Sequence, residues 1–334
     1  MVKQATREPT DMAGSKSVVL AALVANGAIA VLKFGAFLLT GSPSMLSEVY
    51  HSISDTGNQV FLLVGIRYSG RAADQDHPFG YGKAQFFYSF LVSVLLFGIA
   101  GWESLNHGVE AIRSGHAASP GTVTLAGVTF DTVYVSVAVL LGAIAFETYA
   151  FVKANAELRR QMEAYDWSNL VEAFRSTSDV TTLTAFTEDA IALGGAVLAL
   201  VGIVLTRVTG NYIYDAVSAA LIGLLLMGFA LALAWENKRL LLGESLPKDE
   251  ERKLRTIVEE WDGVARLVDF RTVYFGPEQV MLTADVAFED GLDTAEMDDR
   301  ITGIEDALRE SNPSVNRVYV EPETRQASRA ETAE

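Results

Sequence analysis

Six stretches of this sequence, at 17–40, 44–68, 84–107, 132–153, 177–206 and 213–235, are predominantly apolar and about 20 residues long or more. An α-helix needs about that length to cross a hydrocarbon core of about 30 Å. The apolar total of 50% would suit a soluble protein as well. The blocks, not the total, therefore constrain the fold. Gly41-Ser42-Pro43 and Thr209-Gly210-Asn211-Tyr212 read as tight turns between spans. Arg67, Arg71 and Lys83, then Lys153, Arg159, Arg160 and Arg175, fall in alternate loops, with Lys3, Arg7, Lys16, Lys238 and Arg239 outside the first and last spans. The other side offers Arg113 and Arg207. The positive-inside rule then places both termini in the cytoplasm.

Beyond residue 240 the pattern changes. Residues 247–261 read as a helix with Leu254, Ile257 and Val258 in one stripe and Pro247 in its first turn. Residues 265–275 and 278–288 read as strands around a Gly276-Pro277 turn. A second helix over 293–310 carries Met297, Ile301, Ile304 and Leu308 on one face, and 314–322 reads as a last strand. The order α-β-β-α-β predicts a small α+β domain with helices on one face of a sheet. The expected organisation is an arm at 1–16, a six-helix transmembrane domain at 17–240, this domain at 244–322 and a disordered tail at 323–334.

The net charge is −16, with the acidic excess mostly after Gly243 and no basic stripe, which argues against a nucleic-acid partner. There is no cysteine, so disulfides, thiolate metal sites and thiol nucleophiles are excluded. The leading MVKQATREPTDMAGSKS is polar, of mixed charge, and reads as neither signal nor transit peptide.

The second span breaks the apolar rule. It carries Glu48, His51, Ser52, Ser54, Asp55, Asn58 and Gln59. His51 and Asp55, four apart, share one helix face. By helical rise His51 lies roughly 11 Å into the span. Glu188 and Asp189 lie roughly 16–18 Å along the fifth span, at similar depth. Ionisable groups cost several kcal/mol or more at mid-bilayer, and such residues mark ion pathways. An imidazole with carboxylates suits a divalent ion such as Zn²⁺, and the same groups can exchange it for protons. The competing reading is a hydrogen-bonded His51–Asp55 pair that holds two helices together. Glu188 and Asp189 point about 100° apart on their helix. Asp189 is taken as the ligand, and Glu188 as a supporting group, a proton carrier or a substitute ligand.

HSISD at 51–55, HPFGYGKAQ at 77–85, FTEDAIALGG at 186–195, and YDAVSAALIG with WENKRLLLGESL through the last span together resemble the cation diffusion facilitator family. The similarity runs from about Ser17 to Pro322 and is strongest to the branch of the ninth human zinc transporter. It implies a homodimeric metal/proton antiporter with six spans and a ferredoxin-like cytoplasmic domain. It also implies that His51 and Asp55 form one half of the transport site and Asp189 belongs to the other. The family's usual fourth ligand falls at Ala185, which cannot bind metal, and Glu188 is the candidate replacement. The family's loop site matches Asp74, His77 and Tyr81, but Tyr81 replaces a histidine, so that site is expected to be weak or absent. The C-terminal domain has no histidine, which removes the metal cluster some relatives carry there.

Other polar residues read as structural. Asn26 and Lys33 lie in the first span, with Lys33 snorkelling or paired with a carboxylate such as Glu147. Asp215 and Asp179 read as caps at the starts of their own helices. His107 and His116 read as solvated. Lys83 and Glu244 are expected to form an ion pair. Glycines 194, 195, 202, 223 and 228 are expected to permit close helix packing. The resulting expectation is a divalent-cation exporter, not an enzyme, in the plasma (inner) membrane. It has no tightly bound cofactor, and its cargo is zinc first, with manganese, iron or cobalt as alternatives. Its partners are a second copy, lipid, metal and protons. A membrane-embedded metal hydrolase and a non-transporting metal-sensing scaffold are the rival readings.

Overall fold

The computed structural model describes residues 9–115, 121–125, 128–164, 180–277 and 279–323. The expected disordered tail, His116 and Asp179 lie outside the described residues, apart from 323. The chain divides into two compact units, Met1–Val64 with Tyr88–Glu236, and Gly65–Phe87 with Asn237–Glu334.

The first unit is helical. Its elements are α1 (Pro9–Thr40), α2 (Pro43–Ser69), α3 (Ala84–Ser114), α4 (Thr132–Ala164), α5 (Val180–Thr209) and α6 (Ile213–Leu242), with the ends of α2, α3 and α6 passing into the second unit. Among the described residues, stretches of α1, α3, α4, α5 and α6 are long and apolar enough to cross a membrane. Helix α2 has 27 residues, so length is not what sets it apart. Its row of carboxylate, imidazole, hydroxyl and amide side chains lowers its apolarity below theirs. Helices α1 and α4 run beyond their apolar stretches, to Pro9 and Ala164. The charged segment after residue 153 is thus helix as far as Ala164.

The expected loop before α4 contains a short hairpin instead, β1 (Thr122–Leu125) with β2 (Val128–Asp131), paired Thr122↔Asp131 to Leu125↔Val128. Four-residue strands of Thr and Val carry too little pattern to stand out in sequence. Helix α5 packs along α4, and α4 along α1. Small residues seat α3 on α6. A Cβ at Gly223 would lie 2.4 Å from the Leu105 backbone nitrogen, and one at Gly108 2.5 Å from that of Ala220. Gly202 approaches Ser218 of α6 as closely. Of the five glycines expected at contacts, 195, 202 and 223 are there. Gly194 and Gly228 have open space where a side chain would be, so the expectation fails for them. A π-helical turn at Leu96–Gly101 widens α3 next to α6.

Helix α2 starts sharply. Gly41 takes φ 64°, Ser42 caps through Met45 N–H at 3.2 Å, and Pro43 fills the first turn. Asp215 completes this end from α6. Its Oδ1 accepts from Ser42 Oγ at 3.0 Å, Ser44 N at 3.3 Å and Ser44 Oγ. Asp215 therefore caps the neighbouring helix, not its own, because α2's free N–H groups and serine hydroxyls lie beside it.

The second unit holds α7 (Lys248–Glu259), β3 (Val264–Gly276), β4 (Gln279–Phe288), α8 (Thr294–Ser311) and β5 (Val315–Pro322). The sheet order is β3-β4-β5, antiparallel then parallel, with α8 as the crossover. Val280, Leu282, Ala284 and Val286 alternate inward on β4 against Leu254 and Val258 of α7 and Ile304 and Leu308 of α8. A capping box starts α8: Asp293 accepts from Glu296 N at 2.9 Å, and Asp293 N donates to Glu296 at 3.0 Å. Residues 65–87 cluster with this domain. Phe79 meets Phe275 at 5.3 Å between ring centroids, and Arg317 donates to Phe79 O at 3.1 Å. Lys83 donates to Leu241 O at 3.3 Å and lies over the Phe275 ring, while Glu244 pairs with Arg239. The expected Lys83–Glu244 pair does not form: Glu244, two residues past the end of α6, folds back onto Arg239 of its last turn.

Candidate functional site

Helix α2 carries polar side chains at 44, 48, 51, 55 and 58, a ridge at three- and four-residue spacing. His51 is buried, and its Nε2 stands 3.5 Å from Asp55 Oδ2. Neither ring nitrogen makes a hydrogen bond. The pair is therefore in electrostatic range without being a formed bond, and an unsatisfied buried imidazole is costly to keep.

Helix α5 brings Glu188 and Asp189 to the same neighbourhood, both half-buried. Glu188 lies within side-chain hydrogen-bonding reach of Asn58 and within electrostatic range of His51, Asp55 and Asp189. Asp189 and Asp55 also feel one another. Among the described residues, no three His, Asp or Glu side chains are drawn to a common point. Helix α4 adds Glu147, half-buried, which feels Lys33, Asp55, His51 and Asp189. No side-chain detail is described for Ala185.

Sequence reasoning named Glu48 among the polar residues of the second span but gave it no role. Its side chain is fully buried, and Oε2 takes the buried Lys33 ammonium at 2.7 Å. Lys33 thus pairs with a carboxylate, but with Glu48 and not Glu147 as its direct partner. The signal was present, since Glu48 falls one turn before His51 on the same ridge. His107 is not simply solvated. It is half-buried, lies 6.0 Å from the Tyr50 ring and 3.9 Å from Glu103.

The loop motif is occupied by its own hydrogen bonds. Asp74 accepts from Tyr81 Oη at 2.6 Å and from His77 N at 2.8 Å. The Tyr81 hydroxyl holds the exposed Asp74 carboxyl below the usual aspartate range, and the same bond pushes the Tyr81 phenol up to about 12. Tyr81 thus supplies a donor where a metal ligand would be needed, and it satisfies the carboxylate without an ion.

Comparison with known proteins agrees with this arrangement of elements. The family described as the cation efflux transmembrane domain matches residues 19–242, and the cation efflux protein cytoplasmic domain matches 246–325. The mitochondrial proton-coupled zinc antiporter SLC30A9 of Homo sapiens is 29% identical over 83% of this chain and 46% of its own length. Metal tolerance protein C4 of Arabidopsis thaliana is 29% identical over 86% of this chain and 60% of its own. The cation-efflux pump FieF of Klebsiella pneumoniae is 27% identical over 83% and 82%. The chain spans about half the length of the SLC30A9 relatives. With five helices apolar enough to cross a bilayer and both domains matched in order, this chain is an integral, multi-pass membrane protein that belongs to the cation efflux family, near its SLC30A9 branch.

Proposed function

We propose that this chain is a divalent-cation efflux transporter that exchanges metal for protons by alternating access. His51, Asp55 and Asp189 are its ligands, and Glu188 is the replacement for the ligand absent at Ala185. The observation that carries the reading is buried His51 beside half-buried Asp55, with neither imidazole nitrogen hydrogen-bonded and Glu188 and Asp189 brought in from α5. Helix α2 is the sixth crossing in this reading: its polar ridge turns inward, where ions pass, and leaves Ile53 and Val60 exposed toward lipid. The C-terminal unit is read as a ferredoxin-like, cytoplasmic dimerisation domain, with both termini cytoplasmic. The plasma (inner) membrane is taken as its setting, although some relatives carry a mitochondrial one in their names.

The chemistry follows from competition for lone pairs. In the inward-facing state the carboxylates and imidazole are deprotonated and hold the cation. After the helices rock, protons on the far side occupy the same atoms and release it. One imidazole among three carboxylates is rich in oxygen, which moves preference toward Mn²⁺, Fe²⁺ and Co²⁺, while the Irving–Williams order keeps Zn²⁺ binding strongest. The relatives' names, an antiporter, a tolerance protein and an efflux pump, support transport over metal-dependent hydrolysis or sensing alone.

Competitive uptake of Zn²⁺, Mn²⁺, Fe²⁺ and Co²⁺ into proteoliposomes across a pH gradient tests this. Asp55→Ala and Asp189→Ala are expected to abolish flux, a loss of about 100-fold or more, while the protein stays dimeric by light scattering. Undiminished flux in both variants would defeat the site assignment.

A further inference from the structure

The polar ridge of α2 continues past His51 to Glu48, one helical turn nearer the start of the helix. The facing stripe of α5 continues with it. Glu188 and Gly195 are seven residues apart, two turns on one face, and Glu188 lies within side-chain reach of Asn58 while Gly195 lies against Glu48. A Cβ at Gly195 would lie 2.7 Å from Glu48 Oε1, so the absent side chain is what makes room for the carboxylate.

Glu48 is an unusual tenant of that space. One oxygen takes the Lys33 ammonium at 2.7 Å, whereas Oε1 is buried with no hydrogen-bond partner. Both nitrogens of His51, three residues on, are in the same condition. Two buried side chains on one face of α2 therefore present three polar atoms without a hydrogen bond, one of which, His51 Nε2, lies 3.5 Å from Asp55 Oδ2. Lys33 is 1% exposed, so its head does not snorkel to water. Asp55 and Glu147 also act on that ammonium electrostatically. The lysine head is thus a cation held by a carboxylate and attracted by two more acidic groups.

We propose that Glu48 and His51 form a second binding position for a divalent cation, one turn from the Asp55 position, and that the Lys33 ammonium is its tethered occupant. This rests on the transport reading above and deepens it. His51 stands between Asp55 and Glu48 and is shared by the two positions, so an ion can pass from one carboxylate to the next without losing its nitrogen ligand. While no metal is there, Lys33 compensates the Glu48 charge in a medium where a bare carboxylate is costly. An arriving divalent cation takes Glu48 and displaces the ammonium toward Glu147.

Equilibrium binding of Co²⁺ alone to the full purified chain, followed by its visible absorption, tests the proposal without transport. Lys33→Met keeps side-chain length and frees Glu48. It is expected to bind one more Co²⁺ per chain than wild type, or to bind about tenfold more tightly. Lys33→Met/Glu48→Gln is expected to lose that gain. Stoichiometry and affinity equal to wild type in folded Lys33→Met would overturn the second position and leave the transport reading standing. No Co²⁺ bound by wild type or Lys33→Met would overturn both. Should Lys33→Met not fold, Glu48→Gln decides in proteoliposomes: kcat about tenfold lower with KM unchanged is expected, and an unchanged kcat overturns the proposal.

Discussion

Both units bury apolar side chains, but the helical unit buries charged and hydroxyl side chains beside them. In residues 244–323 the core is Leu, Val, Ile, Phe and Ala, Thr272 is the one buried polar residue among those described, and Tyr319 is the one large hydrophobic left exposed. In the helical unit Lys33, Glu48, His51, Asp215 and a set of serines are buried, while Val31, Leu38, Ile99, Leu141, Leu224 and many like them face outward. Water drives apolar groups together in the first case. Lipid offers no such drive, so helices associate through close contact of small residues and interior hydrogen bonds. The helical interior is consequently free to be polar, and polarity there is available for ions.

Substitutions can break this contrast. The largest effect is expected where two backbones touch. Gly223→Leu drives a side chain into the Leu105 backbone nitrogen, which cannot yield. A loss of about 5 kcal/mol, seen as no folded peak in size-exclusion chromatography, is the expected outcome. Gly228→Ala, with nothing within 4 Å, is the matched control and should melt at or slightly above wild type. In the C-terminal unit the penalty comes from a cavity. Leu282→Ala should cost about 2–5 kcal/mol, read as faster hydrogen exchange in β3, β4 and β5. If that exchange spread equally through α3 and α6, the two cores would not be the separate entities described above.

Smaller changes sharpen the picture. Asp293→Ala removes the capping box of α8 and should cost about 1 kcal/mol, measured by thermal melting. The smallest change is Tyr81→Phe. Asp74 loses its strongest hydrogen bond, and its carboxyl should titrate closer to the ordinary aspartate range by NMR. The sign is fixed by the depressed folded value: the stabilising contribution is present above the unfolded pKa and lost as pH falls through the folded one. An unmoved titration would mean that the backbone bond from His77 suffices.

Local features were legible without coordinates. Block length predicted helices, and five of the expected spans coincide with helices that are apolar enough to cross a bilayer. The 51/55 spacing put His51 beside Asp55, because positions four apart on a helix are neighbours whatever surrounds them. Alternation on β4 and the stripe on α8 gave the small domain its order of elements. The hairpin before α4 was missed because its strands are too short to show a period. The charged start of α1 was underestimated because apolarity marks a span, not a helix, whereas the charged segment after residue 153, readable as loop or as helix extension, is helix to Ala164.

Other pairings needed the fold. Lys33 meets Glu48, fifteen residues away, and Asp215 caps a helix that starts 172 residues before it. Gly101 and Gly108 turned out to be contact points, whereas Gly194 and Gly228 did not. By itself the sequence determined which residues share a face of each helix or strand, since backbone geometry repeats at a constant period. Which face meets which neighbour was decided by tertiary packing, because helix crossings depend on how side-chain ridges and gaps from distant segments fit together.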